Sequence, residues 1–186
     1  DLGLITAISA AHGKDDTAEA RRYISAGAFL LTVLGAALGV ASVILAGRVD
    51  WPALFRLQDA RAAADAAPAV LLVLVSVAVN LPLGITSKVQ SGYQEGYRTD
   101  FWLAVCNVAG LGALLVLIRL NAGLSALLAA FVAPSVVAGI LNAIELFGWR
   151  RPWLRPRLRE WDSRAATRLF LSGGLFFVWQ LAAVLA

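Results

Sequence analysis

Long uncharged runs alternate with short polar segments along most of this chain. The complete runs cover residues 23–47, 66–87, 101–118 and 122–144. A helix needs about 20 predominantly apolar residues to cross the hydrocarbon core of a bilayer, and each run is close to that length. The pattern therefore predicts four complete membrane-spanning helices.

Two further apolar segments flank these four runs. Residues 2–11 are too short to cross a bilayer, so we expect them to be the exit of a helix whose beginning lies outside this sequence. Residues 169–186 number 18 and are only just long enough to cross. The expected fold class is therefore an all-α, polytopic transmembrane helix bundle, present as a fragment.

Several local signals predict where helices begin. Asp16 and Glu19 have the spacing of a capping box, and Asp50 precedes Trp51 and Pro52 at another expected start. The alanine-rich segment 54–66 is predicted to be a short helix on the outer surface.

Small residues within the first run recur at a spacing near four, which predicts close packing against a neighbouring helix in lipid. They are Gly27, Gly35, Ala36, Gly39 and Ala41.

A basic tract at 149–168 sets the expected orientation, because it contains seven arginines between two apolar runs. Short loops rich in Lys and Arg stay on the cytoplasmic side of a membrane. If alternate loops are assigned from this tract, the cytoplasmic loops hold twelve Lys and Arg and the external loops hold four. The predicted cytoplasmic segments are 12–22, 87–100 and 149–168, and the external ones are 48–65 and 119–123.

Composition supports a membrane protein: 60% of residues are hydrophobic, 15% are charged, and the mean hydropathy is +0.75. A soluble domain carries about 25% charged residues. The net charge of +4 arises mostly from the basic tract, so we expect no nucleic-acid partner. A single cysteine, Cys106, and a single histidine, His12, predict neither an internal disulfide nor a zinc site. No P-loop or nucleophile motif is present, so we expect no enzyme activity and no cofactor.

Two segments of the chain resemble a known transporter family. The segment HGKDDTAEARRYISAGAFLLTVLG, residues 12–35, resembles the stretch between the second and third helices of polysaccharide flippases of the multidrug/oligosaccharidyl-lipid/polysaccharide exporter superfamily. The segment LFLSGGLFFVWQLAAVLA, residues 169–186, resembles the seventh helix of the same proteins. The sequence between them holds the four spans that the family requires.

The resemblance implies a fragment of a two-lobed exporter, from the end of helix 2 to the start of helix 7. Residues 1–148 would form most of the first lobe, 149–168 a cytoplasmic linker between lobes, and 169–186 the first helix of the second lobe. The implied function is translocation of a polyprenyl-diphosphate-linked oligosaccharide, such as an O-antigen repeat unit, across the bacterial inner membrane by alternating access. Membrane lipid, polysaccharide polymerase and glycosyltransferases are the implied partners.

The candidate site residues fall into two groups. Asn80, Asn107 and Asn142 are amides within the spans, which would face a substrate cavity and contact sugar hydroxyls. For Asn80 and Asn107, which lie at similar depth, roughly 10 Å from the same end, we favour hydrogen bonding to each other across the helix pair, and the cavity role is the alternative. The linker arginines are expected to lie at the anionic membrane surface. They are Arg150, Arg151, Arg155, Arg157 and Arg159.

Three other functions stay open at this point. A multidrug or cation-coupled exporter of the same superfamily would typically hold a carboxylate inside the first lobe, where only Glu145 approaches a span. A membrane-embedded glycosyltransferase or ligase would need catalytic acids on a loop, and Asp50, Asp59 and Asp65 are the candidates. A membrane scaffold without transport activity is the last.

Overall fold

A computed structural model of the chain describes residues 2–160, 162 and 167. The helices are α1 (Leu2–Gly13), α2 (Thr17–Arg48), α3 (Trp51–Leu54), α4 (Ala60–Gly92), α5 (Tyr97–Arg119) and α6 (Leu124–Ile144). A π-helical turn, Glu145–Arg150, continues α6, and 3-10 turns follow at Pro152–Leu154 and Leu158–Glu160. The predicted first helix of a second lobe, 169–186, lies outside the described residues.

Four helices in the described part of the chain are long and apolar enough to cross a membrane, which confirms the predicted spans and the helix-bundle fold class. They are α2, α4, α5, and α6 together with its extension to Arg150. Helices α2, α4 and α5 extend beyond the uncharged segments and include the polar residues that flank them. In α4 the helix passes through Pro82 and ends ten residues later, at Gly92.

The prediction of a separate surface helix over residues 54–66 is wrong. Helix α3 ends at Leu54, and Arg56 adopts a positive φ of 53°. The Asp59 side chain then accepts a hydrogen bond from the Ala62 N–H at 2.9 Å. Because this bond caps a helix at Ala60, residues 60–65 form the first turns of α4.

Aspartates cap the starts of α2, α3 and α4, and two of these caps were predicted from sequence. Asp16 accepts hydrogen bonds from the N–H groups of Ala18 and Glu19, and Asp50 accepts one from Ala53. The start of α6 is capped across the bundle instead of by its own loop.

In that cap, the Asp65 carboxylate of α4 accepts a bond from the Leu124 N–H at 3.1 Å. A Cβ on Gly123 would lie 3.0 Å from the same carboxylate, so glycine leaves room for the cap.

Helix α4 is the central helix of the bundle. It packs against α2 on one side and α6 on the other, while α5 packs on α6 and α1 leans against α2 and α4. Helices α4 and α5 are consecutive in sequence but make few contacts with each other. The bundle is therefore ordered α2, α4, α6, α5 in space.

Glycines allow the helices to approach closely, as the small-residue spacing predicted. A Cβ on Gly35 would lie only 2.5 Å from the Ala78 carbonyl oxygen and 3.1 Å from Pro82 Cδ. Proline has no N–H, so the Ala78 carbonyl lacks its usual partner within α4, and Gly35 packs against this part of the helix. A Cβ on Gly27 would meet Leu4 at 3.0 Å.

The buried core lies at the end of the bundle where α1, α4 and α6 end and α2 begins. This end, named the basic end because it carries the linker arginines, has a continuous apolar cluster. Its members are Leu4, Ile8, Ala11, Ala20, Ile24, Ile85, Val89, Tyr93, Leu146 and Leu154. The linker residue Leu154 therefore belongs to the same core as the helices.

The α5–α6 contact can be tested with two glycines of α5. A Cβ on Gly110 would collide with the Pro134 ring and approach the Ala130 carbonyl oxygen at 3.3 Å, whereas a Cβ on Gly112 has no atom within 4 Å. Gly110→Ala should cost about 1–3 kcal/mol through overpacking, seen as a lower thermal unfolding midpoint in detergent. Gly112→Ala should leave the midpoint equal or slightly higher. Equal behaviour of the two variants would contradict the packing described here.

Candidate functional site

Three polar side chains from three helices form a closed hydrogen-bonded triad near the basic end. Gln90 of α4 donates to the Asn142 side-chain oxygen at 2.6 Å, and Asn142 of α6 donates to the Gln90 oxygen at 3.2 Å. Thr99 of α5 accepts from Asn142 at 3.1 Å and donates to the Gln90 oxygen at 2.6 Å. Gln90 and Asn142 are only 1% and 2% exposed.

This triad satisfies amides that would otherwise be costly inside a membrane protein. It also fixes the relative level of the three helices, because each side chain bonds to the other two. Asn142, a predicted cavity residue, is thus held by Gln90 and Thr99 at the border of the groove described next.

A groove of about 180 Å³ adjoins the triad, between α4, α5 and α6. Its polar lining consists of amides and hydroxyls and contains no charged side chain. The polar residues are Asn80, Ser87, Thr99, Ser135 and Asn142, and the remaining lining residues are Leu83, Gly84, Leu103, Ala138 and Gly139. Two of the three predicted cavity residues therefore line the same groove.

Asn80 does not pair with Asn107, so the favoured interpretation of these two amides is wrong. The Asn80 amide donates to the Ser135 hydroxyl of α6 at 3.1 Å and to the Ser76 carbonyl at 3.0 Å. Asn107 is exposed on the outer face of α5 and does not line the groove. The pairing fails because α4 packs against α6 and contacts α5 only sparsely.

A cluster of ion pairs lies beyond the triad at the basic end. Glu145 accepts hydrogen bonds from Arg98 and from the Trp102 indole, both at 2.5 Å. Glu95 accepts from Arg151 at 2.9 Å and lies 3.9 Å from Arg98. These four charged side chains keep only 17–25% of their surface exposed, so solvent screens them less than it screens surface pairs.

The first part of the basic tract is docked onto the bundle. We name residues 149–160 the strap. Leu154 is fully buried in the core, and the Arg151 guanidinium lies 3.8 Å from the centre of the Tyr93 ring. The Arg157 backbone N–H donates to Ser25 at 3.1 Å.

Two further contacts of the strap complete this docking. Glu160 pairs with Arg21 of α2 at 3.0 Å. Arg155 donates to the Phe147 carbonyl at 2.6 Å and lies near the Gly148 carbonyl, closing the last turn of α6.

The five linker arginines therefore divide into two groups, which sequence reasoning treated as one. Arg151 and Arg155 bond to the protein itself. Arg150, Arg157 and Arg159 have exposed side chains, and Arg150 approaches Glu95 only at 4.0 Å. The leucine within PWLRP, Leu154, was a signal for docking, since the core can take a leucine but not an arginine.

The three candidate catalytic acids on the opposite side are used as helix caps. Asp50 and Asp59 cap α3 and α4, and Asp65 caps α6. Among residues 2–160, 162 and 167, His, Cys, Asp and Glu form no group of three that could hold a metal ion.

Comparison of the chain with protein-family models, with curated proteins and with solved structures gives no match.

The triad can be tested by removing its amides singly and together. Asn142→Leu leaves the Gln90 NH₂ group without its acceptor, keeps only the Thr99–Gln90 bond, and should cost about 1–3 kcal/mol in detergent unfolding. Because Gln90→Leu removes the same interaction, the double variant should cost less than the sum of the two. Asn107→Leu is the matched control, since Asn107 is exposed, and should change stability little. Additive costs for the triad variants would show that the amides do not act on each other.

Proposed function

We propose that this chain forms most of the first lobe of a bacterial inner-membrane transporter for polyprenyl-diphosphate-linked oligosaccharides. The observation that carries the proposal is the uncharged polar groove between α4, α5 and α6. The resemblance of residues 12–35 and 169–186 to polysaccharide flippases supports it. On this proposal the substrate crosses from the cytoplasmic to the outer leaflet without being chemically changed.

The chemistry of the groove suits the sugar part of such a substrate. Sugar hydroxyls both donate and accept hydrogen bonds, as do the amide of Asn80 and the hydroxyls of Ser87 and Ser135. The groove contains no arginine or lysine for a diphosphate. The groove is therefore assigned to the neutral glycan, and the diphosphate is assigned to cationic groups elsewhere in the complete transporter.

The tight ties within the bundle suit a rocking mechanism. Alternating access moves one bundle against another around a fixed site, so each bundle must hold its own shape. Here the triad joins α4, α5 and α6, the Gly35 contact joins α2 to α4, and the strap ties α6 to α2 and α4. These ties let the lobe move as one body.

The bonding of the acidic residues favours this proposal over two alternatives. A cation-coupled exporter requires a carboxylate that can exchange its partner, but Glu145 is held by both Arg98 and Trp102. A glycosyltransferase requires free catalytic acids, but Asp59 and Asp65 cap helix starts.

The proposed partners follow from the substrate. Glycosyltransferases would supply the lipid-linked repeat unit on the cytoplasmic side, and a polymerase would consume it on the outer side.

The groove can be tested in proteoliposomes containing the complete protein and a lipid-linked oligosaccharide. Ser87 donates only to the Gly84 carbonyl of its own helix, so Ser87→Val should preserve stability while filling the groove with methyl groups. Flipping should fall about fivefold to tenfold, equivalent to one lost hydrogen bond of about 1–1.4 kcal/mol.

Thr32→Val is the matched control for this experiment. Thr32 also bonds to a carbonyl of its own helix, that of Ala28, but it lies on the exposed face of α2 outside the groove. Its flipping rate should equal that of the wild type. Wild-type flipping in Ser87→Val, with Asn80→Leu equally active, would remove the groove from the transport path.

A further inference from the structure

The strap has two faces with different chemistry. Its inner face carries Leu154, which is fully buried, and Arg151, which pairs with Glu95. Its outer face carries two large aromatic side chains, Trp149 at 76% exposure and Trp153 at 49% exposure. A docked segment with exposed tryptophans needs a second contact surface on its outer side.

The position of these tryptophans indicates that the second contact surface is the membrane. Trp149 lies in the turn that continues α6, one residue before the candidate membrane span ends at Arg150. Tryptophan is enriched at this level of membrane proteins, because its ring sits among lipid headgroups with its N–H still able to find polar partners. Trp153 lies only four residues further along the strap.

The charge of the outer face indicates which type of lipid this face would contact. Arg150, Arg157 and Arg159 are exposed on the strap, and Arg22 is exposed on the neighbouring turn of α2. On the inner side Glu160 pairs with Arg21, and Asp162 lies with Arg22 and Arg159 around one surface pocket. Four arginines against this one aspartate leave the outer face cationic, with the two tryptophans beside them.

We propose that the outer face of the strap is a docking surface for anionic phospholipid at the basic end of the bundle. Trp149 and Trp153 insert at headgroup level, and Arg150, Arg157 and Arg159 contact the phosphates. Arg151 and Arg155 have a different role, since they hold the strap to the protein. The inference goes beyond transport of a substrate and does not depend on it.

The test measures how strongly the complete protein prefers anionic over zwitterionic phospholipid, with spin-labelled lipids of both kinds in one bilayer. Each arginine near an anionic surface increases the preference for anionic lipid about fivefold. The triple substitution Arg150→Gln, Arg157→Gln and Arg159→Gln should therefore lower the preference severalfold, and high salt should lower it in the wild type. Strap docking should survive, because none of these guanidinium groups holds it.

The matched control neutralises three arginines at the opposite end of the bundle, Arg48, Arg56 and Arg119, and should leave the lipid preference unchanged. A polarity-sensitive fluorophore on Trp153→Cys, in a Cys106→Ala background, gives a second readout. It should report headgroup-level polarity in anionic bilayers. An unchanged preference in the strap variant, an equal loss in the control, or a fluorophore in bulk water would overturn the proposal. A fluorophore in water would indicate a soluble partner for this face.

Discussion

A polar side chain buried away from water is costly unless it has a hydrogen-bond partner within the protein. This constraint explains much of what holds the bundle together. Gln90 and Asn142 are buried near the basic end, and they and Thr99 supply one another's hydrogen bonds across three helices. Close backbone approach supplies the remaining attraction, since apolar burial gives little drive for helices to associate in lipid.

At the basic end, where the spans end, the same constraint also applies to charged side chains. Charged side chains pair there next to the amide triad, and Glu95 and Glu145 bond to arginines from the first turn of α5 and from the strap. The strap returns over the bundle and places Leu154 in the helical core. The basic tract is therefore part of the bundle for its first residues, and not a simple tether after α6.

Sequence patterns predicted the four spans well, because span length and charge are read along the chain. They did not predict which helices touch. Asn80 and Asn107 have matching depths but lie on helices that barely meet, and the partner of Asn80 is Ser135. Likewise, Gln90 and Thr99 are ordinary polar residues near helix ends. The sequence alone does not indicate that both bond to Asn142 of α6. Docking of the strap was missed because its arginines dominate its composition.

The central prediction is that the four spans of the described residues form a membrane bundle whose basic end faces the cytoplasm. Single cysteines at exposed positions test it most directly, in a Cys106→Ala background, with a membrane-impermeant maleimide on intact cells. Gln58→Cys, between α3 and α4, should be labelled from outside, while Lys14→Cys and Arg159→Cys should be labelled only after the membrane is permeabilised. Labelling of Arg159→Cys in intact cells, with Gln58→Cys protected, would contradict the account.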